Sequence, residues 1–401
     1  MMKKIITIIL VIAVLAGLGA AAFLFLGGKD LLPAKEPVLD QANTVFVVKG
    51  DVKVKKAGEN AQWQKVDTST VLEKGDAIQT AGESSVDVVI GKEVDKSVKI
   101  EENSRMQFEG INPAHLNLSE GKILIKLKKL EPKSSFTVKT PTAMCGARGT
   151  GWSEQAMPDR TKICVFENDV FVKKLDASGR PEFGKHIASE GTQRIIEKDK
   201  PVSSPEEIGE GDRLNWAYWD KNVQFLREGK ILVDDFNRKE NFNNLSGPFG
   251  SWNVFYSDPE QYCRDEFSET ERVGDNGYGL KLSYDVETPF SAYNGFFTNL
   301  MGIDISGYKY IVFSIKGDKD AGFTTRVNLE LKNHMGQIGR MTLEGITDEW
   351  RKISVPVNKF IGITEFKDMK EFVIVFSDIG VDKKVGVIYI DDIYFAKDAE
   401  Q

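Results

Sequence analysis

Apolar residues recur at every second position through most of this chain. The early examples are Val45-Phe46-Val47-Val48, Val52/Val54, Val86/Val88/Ile90 and Ile123/Ile125/Leu127. The late ones include Leu280/Leu282/Tyr284/Val286, Ile311/Phe313/Ile315, Val327/Leu329/Leu331 and Phe372/Ile374/Phe376. A period of two, carried by β-branched and aromatic residues, specifies strands with one buried face. From Lys230 onward no stretch alternates strand with helix and strand again, which argues against a parallel α/β fold there. The chain therefore reads as all-β.

The pattern falls into two blocks. Residues 43–197 carry short strands punctuated by turns of one style, Lys49-Gly50-Asp51-Val52, Lys74-Gly75-Asp76-Ala77 and Glu120-Gly121-Lys122-Ile123 among them. Gly supplies the backbone freedom such tight turns need. Their spacing is too irregular for a solenoid and fits a compact β-roll. Residues 230–397 carry a second series of strands whose number and spacing fit a β-sandwich or jelly roll. Between them, 198–229 reads as a linker with a helix: a Pro/Ser/Glu-rich stretch, then Asp212 as a helix cap and a run to about Glu228. Leu214, Ala217, Val223, Phe225 and Leu226 give that helix an imperfect apolar face.

Ahead of both blocks, Ile5 to Leu26 has no charged residue and follows Lys3 and Lys4. As a helix it extends roughly 33 Å at about 1.5 Å per residue, enough to cross a bilayer core of about 30 Å. It exceeds the apolar region of a cleaved signal peptide. Residues 1–28 are expected to form a transmembrane signal anchor with a cytoplasmic N-terminus by the positive-inside rule. The bulk of the chain is then exported from a bacterial inner membrane, to the periplasm or cell surface.

Composition narrows the function. Lys and Arg number 53 against 60 Asp and Glu, a net charge of −7, which argues against a nucleic-acid partner. Three cysteines exclude a disulfide-stapled scaffold, and three histidines leave little for histidine-based chemistry. Cys145 and Cys164 fit either a disulfide or two buried thiols. No Ser–His–Asp order or G-x-S-x-G motif is present, so no catalytic residue is assigned.

The series W-x-K-V, L-x-K-G-D-A-I-x-T-A and S-S-V-D-V-V-I within Trp63–Ile90, N-S-R-M at Asn103–Met106 and F-T-V-K-T-P-T-A-M-C-G-A-R-G-T at Phe136–Thr150 resemble a FecR-type domain. The resemblance covers about 43–197 and implies an exported β-rich interaction module. FecR-type sigma regulators also carry a cytoplasmic domain; here only Met1 to Lys4 precede the apolar run, so the resemblance brings a fold rather than that signalling role. Arg148, between Gly146 and Gly149, fits either a fold-stabilising corner or a partner contact.

V-D-D-F at Val233–Phe236, G-L-K-L-S-Y-D at Gly279–Asp285, G-I-T-D-E-W-R-K-I-S-V-P at Gly345–Pro356 and I-Y-I-D-D-I-Y-F at Ile388–Phe395 are similar to galactose-binding-like jelly rolls. Carbohydrate-binding modules of secreted cellulases are the nearest kind, and the complex I assembly-factor domain shares much of the pattern. The resemblance spans about 230–397 and implies a glycan ligand. Arg326, Asn328 and Glu330 alternate with the core residues Val327, Leu329 and Leu331, so they share the opposite face. Sugars call for planar polar groups together with aromatic surface; Trp252, Tyr256, Tyr262 and Tyr293 are the aromatic candidates. Related modules hold a structural calcium between the first and last strands, which points to Asp235 and Asp391.

These readings converge on a non-enzymatic, membrane-anchored envelope protein with an interaction module and a glycan-binding jelly roll. The alternatives are an exported sensor acting through a membrane partner, and a carbohydrate-active enzyme.

Overall fold

The computed structural model describes residues 43–91, 94–129, 135–254, 260–289 and 291–400. The anchor expected over 1–28 lies outside them, as does Tyr256. No helix among the described residues is long and apolar enough to cross a membrane. The described residues fall within one compact unit.

The first block, Asn43 to Glu207, consists of seventeen short strands folded around one core. Its organiser is the strand Ala114–Leu127. The first half pairs antiparallel with Arg105–Ile111 and parallel with Phe136–Lys139. The second half pairs with Lys96–Ile100 and Gly151–Ala156. The strand thus passes from one layer to the other, and it turns at Gly121. That residue has φ +91°, and a Cβ there would fall 2.1 Å from Ser104 Oγ, so only glycine fits. Leu116, Leu118, Ile123, Ile125, Phe136, Val138 and Trp152 fill the space between the layers. Cys145 and Cys164 are both buried free thiols.

The second block is a sandwich of two antiparallel sheets. One sheet orders Tyr262–Ser268, Gly279–Asp285, Val385–Ala396, Tyr310–Gly317 and Arg351–Pro356, with Lys230–Asp234 also on Val385–Ala396. The other orders Phe249–Asn253, Tyr293–Ile303, Met369–Ser377, Arg326–Asn333 and Ile338–Glu344. Phe296, Phe313, Val327, Leu329, Phe372, Ile374, Phe376 and Ile390 pack between them.

The helix runs from Glu210 to Arg227. Gly209 takes the N-cap position without a side-chain hydrogen bond, and Asp212 lies in the first turn, so Asp212 is not the cap. Its carboxylate is drawn instead to Lys122 and Lys162 of the β-roll, at 2.9 and 2.7 Å. Trp216, Trp219, Val223 and Leu226 form the buried stripe at helical spacing, while Leu214 and Ala217 face solvent, contrary to the sequence expectation. The stripe joins both blocks. Trp216 stacks on Phe166, Trp219 Nε1 donates to Asp87 at 2.9 Å, and Phe225 packs edge-on against Tyr394 of the sandwich. The helix therefore acts as a shared wall, with cores on either side.

Candidate functional site

The solvent-facing side of the five-stranded sheet brings most of the sequence-selected residues onto one surface. Strand Arg326–Asn333 alternates strictly, with Val327, Leu329 and Leu331 fully buried and Arg326, Asn328, Glu330 and Lys332 on the open side. Register extends this side across neighbouring strands. Trp252 lies opposite Gly295, Gly295 opposite Val375, and Val375 opposite Asn328. In the next row Phe297 faces Val373, Val373 faces Glu330, and Glu330 faces Arg340.

A groove of about 470 Å³ crosses these rows. Trp252, Tyr293 and Phe297 form its aromatic end, and Glu330, Lys332, Arg340 and Glu371 its charged end, with Ile338 and Val375 on the floor. The Trp252 and Tyr293 rings meet edge-on with centroids 5.9 Å apart, and Tyr293 is 46% exposed. The charges are balanced and mutually held. Arg340 Nε contacts Glu330 Oε1 at 2.8 Å, and Lys332 Nζ reaches Glu371 Oε2 at 3.2 Å and Glu330 Oε2 at 3.5 Å. These pairs fix planar donors and acceptors beside exposed ring faces, the chemistry that grips a chain of hydroxyls and apolar ring faces.

Of the residues selected from sequence, Trp252, Tyr293 and Glu330 line the groove. Asn328 shares its face but spends Oδ1 on the Thr342 hydroxyl at 2.9 Å. Arg326 lies one row beyond, with Nε buried and without a partner among the described residues. Tyr262, on the other sheet, is covered by Arg264. Phe297, Lys332, Arg340 and Glu371 were not singled out from sequence. Lys332 merely continues the alternation that picked out Glu330; the others reach the groove through strand pairing, which no local pattern reveals.

A larger cleft of about 610 Å³ lies between the β-roll, the helix and the sandwich, and includes Glu101, Asn215, Tyr218, Asn222, Arg238 and Phe242. Much of its polar lining is already engaged. Asn215 donates to Glu101, Asn222 donates to the Asn244 carbonyl, and Arg238 stacks on Tyr218. Phe242 is 45% exposed there, but Lys49 already lies over its ring, 5.2 Å from the centre.

The residues at the calcium position implied by the sequence resemblance do not fit a divalent cation as arranged. Asp235 Oδ2 is bound by Lys221 Nζ from the helix. Both oxygens of Asp391 accept backbone N–H groups, from Val273 and Asp392, each at 2.8 Å. Asp234 Oδ1 accepts from Phe236, leaving Oδ2 buried without a partner. Burial pushes the Asp391 carboxyl up to about 7 and that of Asp234 well above the ordinary range. Among the described residues no group of three or more His, Cys, Asp or Glu could hold a metal ion.

Comparison with known proteins bears on the first block. Residues 76–171 match the family described as FecR protein. No curated protein matches the chain. The family 11 carbohydrate-binding module of the cellulosomal cellulase Lic26A-Cel5E of Clostridium thermocellum aligns over 43% of this chain and 97% of its own, at 17% identity and TM-score 0.33. A carbohydrate-binding module from Caldicellulosiruptor saccharolyticus, solved with mannohexaose, aligns over 43% and 98% at 13% identity and TM-score 0.30. A candidate anti-sigma factor from Parabacteroides distasonis aligns over 41% and 69% at 12% identity and TM-score 0.28. At these identities and TM-scores the likenesses carry no statement about this chain. The chain is a mostly β protein in which the block holding the segment matched to FecR is joined through one helix to an antiparallel β-sandwich.

Proposed function

We propose that this protein is a non-enzymatic component of the bacterial envelope, held by its N-terminal apolar run, and that its jelly roll binds an oligosaccharide across the outer face of the five-stranded sheet. The groove that sets Trp252 and Tyr293 beside the Glu330–Arg340 and Lys332–Glu371 pairs carries this reading. Open grooves with an aromatic end and a polar end suit a glycan strand, because each ring covers the apolar face of a sugar while the polar groups read its hydroxyls. The two carboxylates of the groove are tied to Arg340 and Lys332, which suits binding more than hydrolysis; a glycosidase needs one carboxyl free to deliver a proton. The β-roll then serves as a spacer or interaction module between membrane and ligand.

The test is a glycan array with the full chain in detergent micelles, followed by titration of the best hit against the wild type and Trp252→Ala. Loss of binding in Trp252→Ala with an unchanged melting temperature supports the assignment. Retained binding, or hydrolysis of the bound glycan by the wild type, overturns it.

A further inference from the structure

The segment Phe136–Thr150 takes no part in the glycan groove. It forms two antiparallel strands, Phe136–Lys139 and Ala143–Ala147, flanked by Ala114–Leu127 on one side and Asp169–Lys174 on the other. Strand His186–Ser189 completes this sheet beyond Asp169–Lys174. Phe136, Val138, Cys145, Val170 and Val172 point into the core, so the alternate residues face outward.

Register arranges that outer side into rows. Thr137, Gly146, Phe171 and Ile187 lie opposite one another in turn. The adjacent row runs Lys139, Met144, Lys173. Lys185 reaches over the same side, its Nζ 3.2 Å from the centre of the Phe171 ring. Arg148, two residues past Gly146, is exposed. None of these four cations forms an ion pair among the described residues, and Asp169 is the one carboxylate that alternates onto the exposed side of its strand. In a chain of net charge −7, a face bearing four unpaired cations stands apart. Phe171 and Ile187 remain 39% and 48% exposed, and Gly146 leaves the centre of the face without a side chain.

We propose that this face of the β-roll docks a linear anionic polysaccharide of the polyuronate class. Neighbouring strands are about 4.8 Å apart, so Lys139 and Lys173, with the Met144 strand between them, stand about 9.6 Å apart across the sheet and present spaced charges to an extended polyanion. Phe171 holds the Lys185 ammonium over this face through a cation–π contact. An acidic peptide fits less well, because extended peptides usually join a sheet through main-chain hydrogen bonds at an edge, whereas these cations project from the sheet's face. The proposal is independent of the jelly-roll groove, which is charge-balanced and on the other block.

The experiment measures retention of the full chain in detergent micelles on immobilised polygalacturonate, neutral mixed-linkage β-glucan and poly-glutamate. The proteins are the wild type, Lys139→Ala/Lys173→Ala/Lys185→Ala, the corresponding triple Arg variant, and Trp252→Ala. The expected result is wild-type affinity for polygalacturonate that weakens with salt and falls about tenfold in the triple Ala variant, as the loss of three exposed charge contacts implies. The triple Arg variant and Trp252→Ala retain it. No polygalacturonate binding by the wild type, or unchanged binding by the triple Ala variant, overturns the proposal. Poly-glutamate binding as tightly, and lost in the same variant, overturns it in favour of an acidic peptide partner. All four positions are surface side chains, and matching thermal melts separate lost binding from lost fold.

Discussion

Lys221 on the helix places Nζ 2.5 Å from Oδ2 of Asp235, a carboxylate whose side chain is only 2% exposed at the start of the jelly roll. The helix thus delivers a positive charge into the acidic corner that Asp235 shares with Asp234, Asp391 and Asp392; burial and neighbouring carboxylates disfavour the charged forms of the latter three. A tethered ammonium does there what a bound cation would do, and it fastens the helix to the sandwich at the same time.

Lys221→Met is therefore expected to lower stability by about 2–3 kcal/mol, because it strands a buried carboxylate without its partner. The exposed part of the lysine keeps the figure below that of a fully buried pair. Thermal melts of the wild type are expected to coincide in millimolar calcium and in EDTA. A calcium-dependent rise in the wild-type melting temperature would return the corner to a metal site.

Within the groove, the polar contacts separate by whether they are already spent. Arg340 is 62% exposed and reaches Glu330 with one nitrogen, leaving other donors for a ligand. Arg340→Ala should weaken glycan binding on the order of tenfold, the loss of one charged hydrogen bond of roughly 1.5 kcal/mol. Asn328→Ala should change affinity little, because its oxygen is committed to Thr342. Val327→Ala, at a fully buried position, should cost about 1–3 kcal/mol of stability and leave affinity intact in the folded fraction. Titration alongside melts of the three variants checks all of these outcomes, and equal binding losses in Arg340→Ala and Asn328→Ala would remove the distinction.

The sequence carries some of this geometry openly and hides the rest for physical reasons. Strand periodicity exposes both faces of Arg326–Asn333, since side chains alternate with a fixed period wherever one face is buried. Glu330 and Trp252 could accordingly be picked out. Arg340, Glu371 and Phe297 could not, because their places depend on which strands pair and in what register. The helix shows the same division: its existence follows from periodicity, but Asp212 looks like a cap only until Lys122 and Lys162 are seen beside it. Trp216 and Trp219 read as bulk aromatic residues in sequence, and only the fold reveals that they join two cores.

Glu154 gives the β-roll a pH dependence. It is fully buried; Oε1 accepts the Trp152 indole N–H at 2.8 Å and Oε2 has no partner. Burial raises its carboxyl to about 8, against the opposing hydrogen bonds from Trp152 and Cys145. The folded form thus holds a proton that the unfolded chain, titrating near 4.5, releases. Between these values the native state binds more protons, so stability falls as pH rises from about 4.5 through 8. Glu154→Gln keeps the acceptor for Trp152 and abolishes the titration. Its melting temperature should fall less steeply than the wild type's over that range and exceed it at the alkaline end. Parallel slopes for the two proteins would locate the pH dependence elsewhere.

The groove's aromatic end depends on a missing side chain. Gly295 lies near the start of strand Tyr293–Ile303, directly between Trp252 and Val375. A Cβ at that position would stand 2.1 Å from the Ile374 carbonyl oxygen and 3.1 Å from the Trp252 ring. The backbone of the neighbouring strand cannot yield as a flexible side chain would, so Gly295→Ala must part the two strands or shift the indole. Overpacking of this kind costs about 1–3 kcal/mol and sometimes more, and here the displaced group is the proposed sugar platform. The expected result is a lower melting temperature together with lost glycan binding. Gly250, two residues before Trp252, provides the control. A Cβ there finds its nearest neighbours at 3.9 Å and 4.0 Å, ordinary contact distances. Gly250→Ala should therefore retain both fold and affinity. If Gly295→Ala binds glycan as well as Gly250→Ala does, the indole is not held against that glycine, and Trp252 does not form the platform.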